Sequence, residues 1–402
     1  MKGKILIIVE NLPVPFDTRV WQEATTLVDN GYTVSVICPK GKGYEKAYEK
    51  LCGVHIFRHD LPTEGSGPVG YAKEYGAALY HEMRIAQWIY KRIGFDVIHG
   101  CNPPDNIYMI ARRFRKYGVS YVFDHHDICP ELFEAKFGKK KGLLYRSQLW
   151  LERKTYENAA FAFVTNESYK EIAIRRGGMA PDRVYVLRSG PKLERLQIRP
   201  PREELKGGRK YMVGYVGVIG KQEGIPYLLK AAAYIRKELQ RDDICYGIVG
   251  GGTSLEEMKV LSSRLGLDDL VTFTGRAPDE VMLDYLNTAD ICVNPDEYNP
   301  MNDKSTMNKV LEYMALGKPI VQFDLTEGRY SAQGASLYAK PNDSQDMAEK
   351  IVALLEDEKK REEMAKLGRR RVVEELSWEH TSKALLEGYE TFFAHKHKGE
   401  CR

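Results

Sequence analysis

Residues 5–38 read ILIIVENLPVPFDTRVWQEATTLVDNGYTVSVIC, and this stretch decides the fold class. Ile5 to Val9 is a short apolar run that reads as a buried strand. From about Val20 to Asn30 the apolar positions recur at helical spacing, Gly31 stops the helix, and Thr33 to Cys38 is a second strand. Strand, helix and strand in so short a span make a βαβ unit and start a parallel sheet. The alternation continues through VHIFR (54–58), DVIHG (96–100), SYVFD (120–124), AFAFVT (160–165) and VYVLR (184–188), so the first half is predicted to be doubly wound.

The polar segment SGPKLERLQIRPPREELKGGRK (189–210), with two consecutive prolines, reads as a linker. A second strand series follows it: YMVGYVG (211–217), ICYGIVG (244–250), VTFTG (271–275), ICVNP (291–295), PIVQFD (319–324) and SLYAK (336–340). The expected organisation is an α/β domain over 1–190, a linker over 191–210 and a second parallel-sheet domain over 211–379. Ligands of such sheets bind outside the carboxyl ends of strands, so chemistry is sought just after each one.

The bulk properties agree. At about 150 residues per domain, 402 residues suit two domains. Lys and Arg number 60 against 56 Asp and Glu, a formal +4 that argues against a nucleic-acid partner. Seven scattered cysteines without a Cys-x-x-Cys pair suggest neither disulfides nor zinc, and fit a reducing cytoplasm. The apolar run in Met1–Glu10 is too short for a signal-peptide core, and no stretch reaches the roughly 18 apolar residues of a membrane span. Any membrane contact is expected to be peripheral.

Chemistry concentrates in DKSTMNKVLEYMALGKPIV (303–321). Ser305 and Thr306 read as N-caps of a helix that carries Asn308, Lys309 and Glu312 and ends at Gly317. Its free backbone N–H groups and the Lys309 ammonium suit a diphosphate, and Glu312 suits ribose hydroxyls. The bland alternative is a capped helix with a Lys309–Glu312 surface pair. Gly217, Gly220, Gly250, Gly251 and Gly252 follow strands, where a bare backbone can approach a nucleotide. Neither a P-loop nor a Gly-x-Gly-x-x-Gly after the first strand is present, which argues against the corresponding NTPases and dehydrogenases. After the strand 120–124 comes HHD; Asp124, His125, His126 and Asp127 invite a metal, but neighbouring side chains diverge and no metal is expected. Arg19 opens the first helix, there to reach a transferring group or acceptor, or else to brace Asp17.

Taken in order, VGYVGVIGKQEGI (213–225), IVGGG (248–252), VTFTGRAPDEVMLDYLNTADICVNP (271–295), NKVLEYMALGKPIV (308–321), SLYAKPND (336–343) and LSWEH (376–380) resemble the retaining glycosyltransferases of family four, glycosyl transferases group 1. The resemblance implies the GT-B fold: two facing Rossmann-like, doubly wound parallel-sheet domains with an interdomain cleft, the acceptor side over 1–190 and the donor side over 211–379. It also implies a C-terminal helix, 380–402, that packs back on the first domain. Glu312 matches the second glutamate of the family's Glu-x7-Glu motif, which holds the nucleotide ribose, while the first falls on Lys304. A subset with Lys-x-x-Glu-Tyr-Met-Ala, matched by Lys309 to Ala315, shares that departure and acts in bacterial surface-polysaccharide assembly. Val218 and Glu223 replace the usual phosphate-binding arginine and lysine, which leaves Lys221 for the diphosphate. Arg276 matches a position beside the nucleobase or forms a surface ion pair. His126 and Asp127 match the reaction centre.

The implied activity is transfer of a hexosyl or N-acetylhexosaminyl group, without cofactor or metal, from a nucleotide diphosphate sugar to a hydroxyl of a glycan or lipid-linked acceptor. UDP is favoured as the nucleotide by analogy alone. A nucleotide-sugar 2-epimerase and a non-catalytic sugar-binding protein are the alternatives. The basic and aromatic stretch Lys136–Lys154, including Lys139 to Lys141, suits an anionic membrane surface and hence a peripheral place at its inner face, or else a core-facing helix.

Overall fold

The computed structural model describes residues 2–61, 67–137 and 142–397. The chain divides into two compact units, Met1–Ser189 with Thr381–Arg402, and Gly190–His380. Among the described residues each unit is built around its own sheet.

The strands of unit one are β1 (Lys4–Val9), β2 (Thr33–Pro39), β3 (Tyr48–Leu51), β4 (Val54–His59), β5 (Val97–Cys101), β6 (Ser120–His125), β7 (Phe161–Val164) and β8 (Val184–Val186). Their order is β3-β4-β2-β1-β5-β6-β7-β8, and all pairs are parallel except the hairpin β3-β4. Strand β3 escapes the sequence reading because YEKL, lying at the sheet edge, presents no fully buried residue and so no apolar alternation. Ile5 to Val9 are at most 1% exposed, as a central strand covered on both faces requires. The helix Thr18–Asp29 starts where the Asp17 carboxylate accepts from the Val20 N–H at 3.1 Å. Gly31, at φ +86°, takes the left-handed turn that ends it. The strand order reverses between β1 and β5, which directs ligands to the loops after Val9 and Cys101.

The helix Trp378–His397 supplies unit one with part of its core. Tyr389 is fully buried, with its ring 5.6 Å from Phe161 and 5.8 Å from Phe163, and its hydroxyl lies 2.7 Å from His99 Nδ1.

Unit two contains β9 (Tyr211–Val216), β10 (Ile244–Val249), β11 (Val271–Gly275), β12 (Ile291–Asn294), β13 (Ile320–Phe323) and β14 (Ser336–Ala339), all parallel, in the order β11-β10-β9-β12-β13-β14. Its reversal lies between β9 and β12. The expected linker is instead a strap on this unit. Leu196 is 1% exposed, and the backbone N–H groups of Arg199 and Arg202 donate to Asn287 Oδ1 at 2.9 Å and Thr288 Oγ1 at 2.8 Å. Its prolines and charges suggest an unattached chain, whereas side chains of the helix Asp279–Thr288 satisfy its backbone.

Candidate active site

In unit one the chemistry gathers at the carboxyl ends of β5 and β6. Asn102, the residue after β5, is 1% exposed. Its Oδ1 accepts from the backbone N–H groups of His126 at 2.7 Å and Asp127 at 3.1 Å, and its Nδ2 donates to the Asp127 carbonyl at 2.6 Å. The turn after β6 is thereby clamped. His126 Nε2 contacts Asp124 Oδ2, with the imidazole 14% exposed and the carboxylate fully buried. Arg19 Nη2 meets Asp124 Oδ1 at 2.7 Å, and His99 Nε2 lies 3.4 Å from Oδ2.

Burial works against the Asp124 carboxylate, yet Arg19 and His126 outweigh it and hold its pKa well below the usual range. Glu23, 3.0 Å from Arg19 Nε, is pushed the other way by burial and by the charge of Asp124. The cluster thus sets one guanidinium between two carboxyl groups whose proton affinities are driven apart. Burial also lowers the pKa of His99, so its imidazole stays neutral.

One expectation is corrected here. Arg19 neither reaches out to a phosphate or acceptor nor braces Asp17. It is 7% exposed, and its donors are spent on Asp124, Glu23, the Leu187 carbonyl at 2.8 Å and Ser189 Oγ at 3.0 Å. His125 is a core residue: burial lowers its pKa to about 3, and its Nδ1 lies 2.6 Å from the Tyr156 hydroxyl. Ligand atoms of Glu23, His99, Cys101 and Asp124 lie within 4.8 Å of one another, a spacing that a metal could use. The Arg19 guanidinium already sits on that carboxylate, so the set is poorly suited to a second cation.

In unit two the predicted residues lie at the carboxyl ends of the strands. Gly217, Gly220 and exposed Lys221 follow β9; Gly250, Gly251 and Gly252 follow β10; exposed Arg276 follows β11. The turn Asn302–Lys304 and the helix Asn308–Ala315 follow β12 and carry Lys304, Ser305, Thr306, Asn308, Lys309 and Glu312.

Gly250 and Gly252 are also required by packing within the unit. A Cβ on Gly250 would lie 1.8 Å from the Gly217 carbonyl oxygen, and one on Gly252 would lie 2.4 Å from that of Ile219. Gly250 also holds φ +146°. Their bare backbones let two loops pack against each other, tied by Ile219 N–H to the Gly251 carbonyl at 3.0 Å. Ser305 and Thr306 are not N-caps. Met307 occupies that position, and Ser305 Oγ donates to the Met301 carbonyl at 2.8 Å, closing the preceding turn. Lys304 sits in that turn, half-buried, with its N–H on the Met301 carbonyl at 3.2 Å.

Lys309 and Glu312 do not pair with each other. Lys309 Nζ lies 2.8 Å from Asp296 Oδ1 and 3.1 Å from Glu223 Oε2, while Glu312 meets Arg195 Nη1 at 3.2 Å. The expected free ammonium is thus already opposed by two carboxylates. Sequence reasoning missed Asp296 and Arg195. Asp296 follows a strand, a signal that was available; Arg195 arrives on the strap, for which no local pattern speaks. Burial, with Glu223 adding to it and Lys309 opposing, pushes Asp296 up to about 7. A carboxyl raised in the folded state stabilises the fold below its unfolded pKa, and that contribution is lost as pH rises through the folded one. In Asp296→Asn the melting temperature is therefore expected to fall less steeply than wild type between about pH 5 and pH 8; parallel slopes would contradict the assignment.

Of the basic stretch, Lys139 to Lys141 lie outside the described residues. The described helix Leu143–Asn158 exposes Leu143, Leu144 and Trp150, while Arg153 and Lys154 pair with Glu157 at 3.0 and 2.6 Å.

Residues 210–357 match the family model of glycosyl transferases group 1, and residues 17–190 that of the glycosyl transferase 4-like domain. An uncharacterized glycosyltransferase of Methanocaldococcus jannaschii is 25% identical over 389 residues, covering 91% of each chain. Sucrose-phosphate synthase from Thermosynechococcus elongatus aligns with a TM-score of 0.79 at 19% identity, covering 98% of this chain and 99% of that one. HepE of Anabaena, in complex with UDP and glucose, aligns at 0.72 with 16% identity, covering 98% and 100%. At these identities the structural likeness speaks for the fold.

Proposed function

The chain belongs to the group 1 glycosyltransferases, family four of the GT-B fold, and from that premise we propose a retaining, metal-independent transfer of a hexosyl or N-acetylhexosaminyl group from a UDP-sugar to a hydroxyl of a glycan or lipid-linked acceptor. The observation that carries the donor side is Glu312. Its carboxylate is oriented by Arg195 at the edge of unit two where the glycine loops and the helix N-terminus meet. There it can accept from vicinal ribose hydroxyls, while helix amides and exposed Lys221 face the diphosphate. The UDP complex of HepE supports the choice of nucleotide.

Breaking the glycosidic bond leaves positive charge on the sugar and negative charge on the departing diphosphate. Cations and amides at this edge stabilise the leaving group. A diphosphate oxygen takes the acceptor proton on the face it leaves, which retains the anomeric configuration. His126, oriented by Asp124, hydrogen-bonds the reacting sugar and fixes its position. The exposed apolar and basic helix Leu143–Asn158 supports peripheral contact with an anionic membrane.

Glu312→Ala is expected to weaken UDP binding roughly 10²-fold, the loss of charge-assisted hydrogen bonds. Arg195 keeps Asp279 at 2.6 Å, so the fold survives the change. Calorimetric titration with UDP and GDP measures this; unchanged UDP affinity in the variant would remove the donor-site assignment.

A further inference from the structure

Strand β3 adds an antiparallel edge to a sheet that is otherwise parallel, and with the helix Gly67–Arg92 it walls a groove of ≈ 810 Å³ in unit one. That volume lies in the range of small-molecule sites. Tyr48 stands opposite Phe57 across the β3-β4 ladder, with ring centroids 4.9 Å apart, and Phe57 lies 5.6 Å from Trp88 on the helix. Ile85 and Ile93 extend this floor. Tyr48 is 51% and Trp88 50% exposed, so two of the largest apolar side chains of the unit are left open to solvent side by side.

Apart from the Tyr48 hydroxyl, 3.1 Å from His55 Nδ1, the polar side chains of the groove are all basic. Arg58, His55, His81 and Arg84 line it, and no carboxylate does among the described residues. Arg58 is committed to Glu49 Oε1 at 2.6 Å. Burial and Lys50 lower the pKa of His55, so it is neutral at pH 7. Exposed Arg84, 5.8 Å from the centroid of the Tyr80 ring, is the charged group at the rim. An aromatic and aliphatic floor beside a guanidinium fits a hydrocarbon chain ending in an anionic group. A glycan, whose C–H faces can stack on such rings with its hydroxyls left to water, is the competing occupant that the oligosaccharide arm of the test below separates.

We propose that this groove binds the hydrocarbon chain of a lipid phosphate, with the phosphate on Arg84, and that the lipid is the carrier portion of the acceptor. The identification as acceptor rests on the transferase reading; the binding does not.

The test is calorimetric titration of the full chain with farnesyl phosphate, dodecyl phosphate, hexyl phosphate, farnesol, inorganic phosphate and a soluble malto-oligosaccharide. Affinity is expected to rise about threefold to fourfold per methylene between hexyl and dodecyl chains. Trp88→Ala, at a half-exposed position, should weaken both long-chain phosphates at least tenfold without lowering the melting temperature. Arg84→Glu should weaken the phosphates and leave farnesol unchanged. Preference for farnesyl over dodecyl phosphate at matched length would identify an isoprenoid, and the reverse an acyl-type chain. The proposal is overturned if inorganic phosphate or the oligosaccharide binds as well as the lipid phosphates, or if Trp88→Ala binds them like wild type. UDP titrated into the same samples separates the two readings. Lipid binding without UDP binding would fail the transferase alone, and the reverse would fail the groove alone.

Discussion

Asp124→Asn is expected to lower kcat by roughly 10³-fold while the protein remains folded, in line with the loss seen when an orienting carboxylate is removed from a catalytic histidine. Its carboxylate meets His126 Nε2 and takes Arg19 Nη2 at 2.7 Å. An amide can present its NH2 group to the imidazole and lose both the fixed orientation and the counter-charge. Removing one partner of a buried ion pair ordinarily costs about 3–5 kcal/mol. Here Glu23, whose carboxyl is pushed up by burial and by the charge of Asp124, lies 3.0 Å from Arg19. With the Asp124 charge gone, one of the two causes that raise Glu23 is removed and its carboxyl remains beside the guanidinium as a partner, so the stability loss should fall near the bottom of that range. His126→Ala should cost a similar factor in kcat, and the double variant no more than either, because the two residues act as a unit. Steady-state kinetics at saturating donor, with thermal unfolding alongside, provide the measurement. Additive losses, or turnover within threefold of wild type, would detach the pair from the mechanism.

Gly250→Ala should be among the most damaging single methyl additions in unit two. The new Cβ would fall 1.8 Å from the Gly217 carbonyl oxygen, in a backbone already at φ +146°. Strained backbone and overpacking each cost about 1–3 kcal/mol, so roughly 2–6 kcal/mol is expected, about 4–24 °C in the midpoint of a unit this size. The loops after β9 and β10 must separate, and UDP affinity should fall by more than about 10²-fold, since binding depends on their positions. Gly251→Ala is the control. Its Cβ would meet the Arg276 nitrogen at 3.3 Å, a distance that a small shift relieves. Equal behaviour of the two variants would show that loop packing does not govern the donor site.

What the sequence discloses depends on how local the cause is. The strands of both series announce themselves because a strand buried on both faces must be apolar throughout, as in Ile5–Val9 and Ile244–Val249. The helix end at Gly317 is equally legible, because φ +66° there favours glycine. Strand β3 is hidden because an edge needs no apolar face. Partner choice is hidden for another reason. Lys309 is separated by 86 residues from Glu223, and Arg195 by 117 from Glu312, and nothing in a short window ranks those partners above the nearer ones. The helix Asn308–Ala315 was therefore read correctly as an element, while the electrostatics of its first turn were not. Arg19 shows the same limit: a guanidinium at a helix start reads as available until Asp124, 105 residues on, folds over it.

The ring of Tyr389 has a consequence for the order in which the protein is made. The core of unit one and the support of His99 are completed by a residue translated 200 positions after Ser189 closes the rest of that unit. At roughly 5–20 residues per second the gap lasts about 10–40 s. Unit two, continuous from Gly190 to His380, receives its last residue just before that interval ends, while unit one waits throughout with Phe161 and Phe163 uncovered. Synthesis from the amino end thus runs against the order of maturation: unit two is finished first, and the earlier-made unit last.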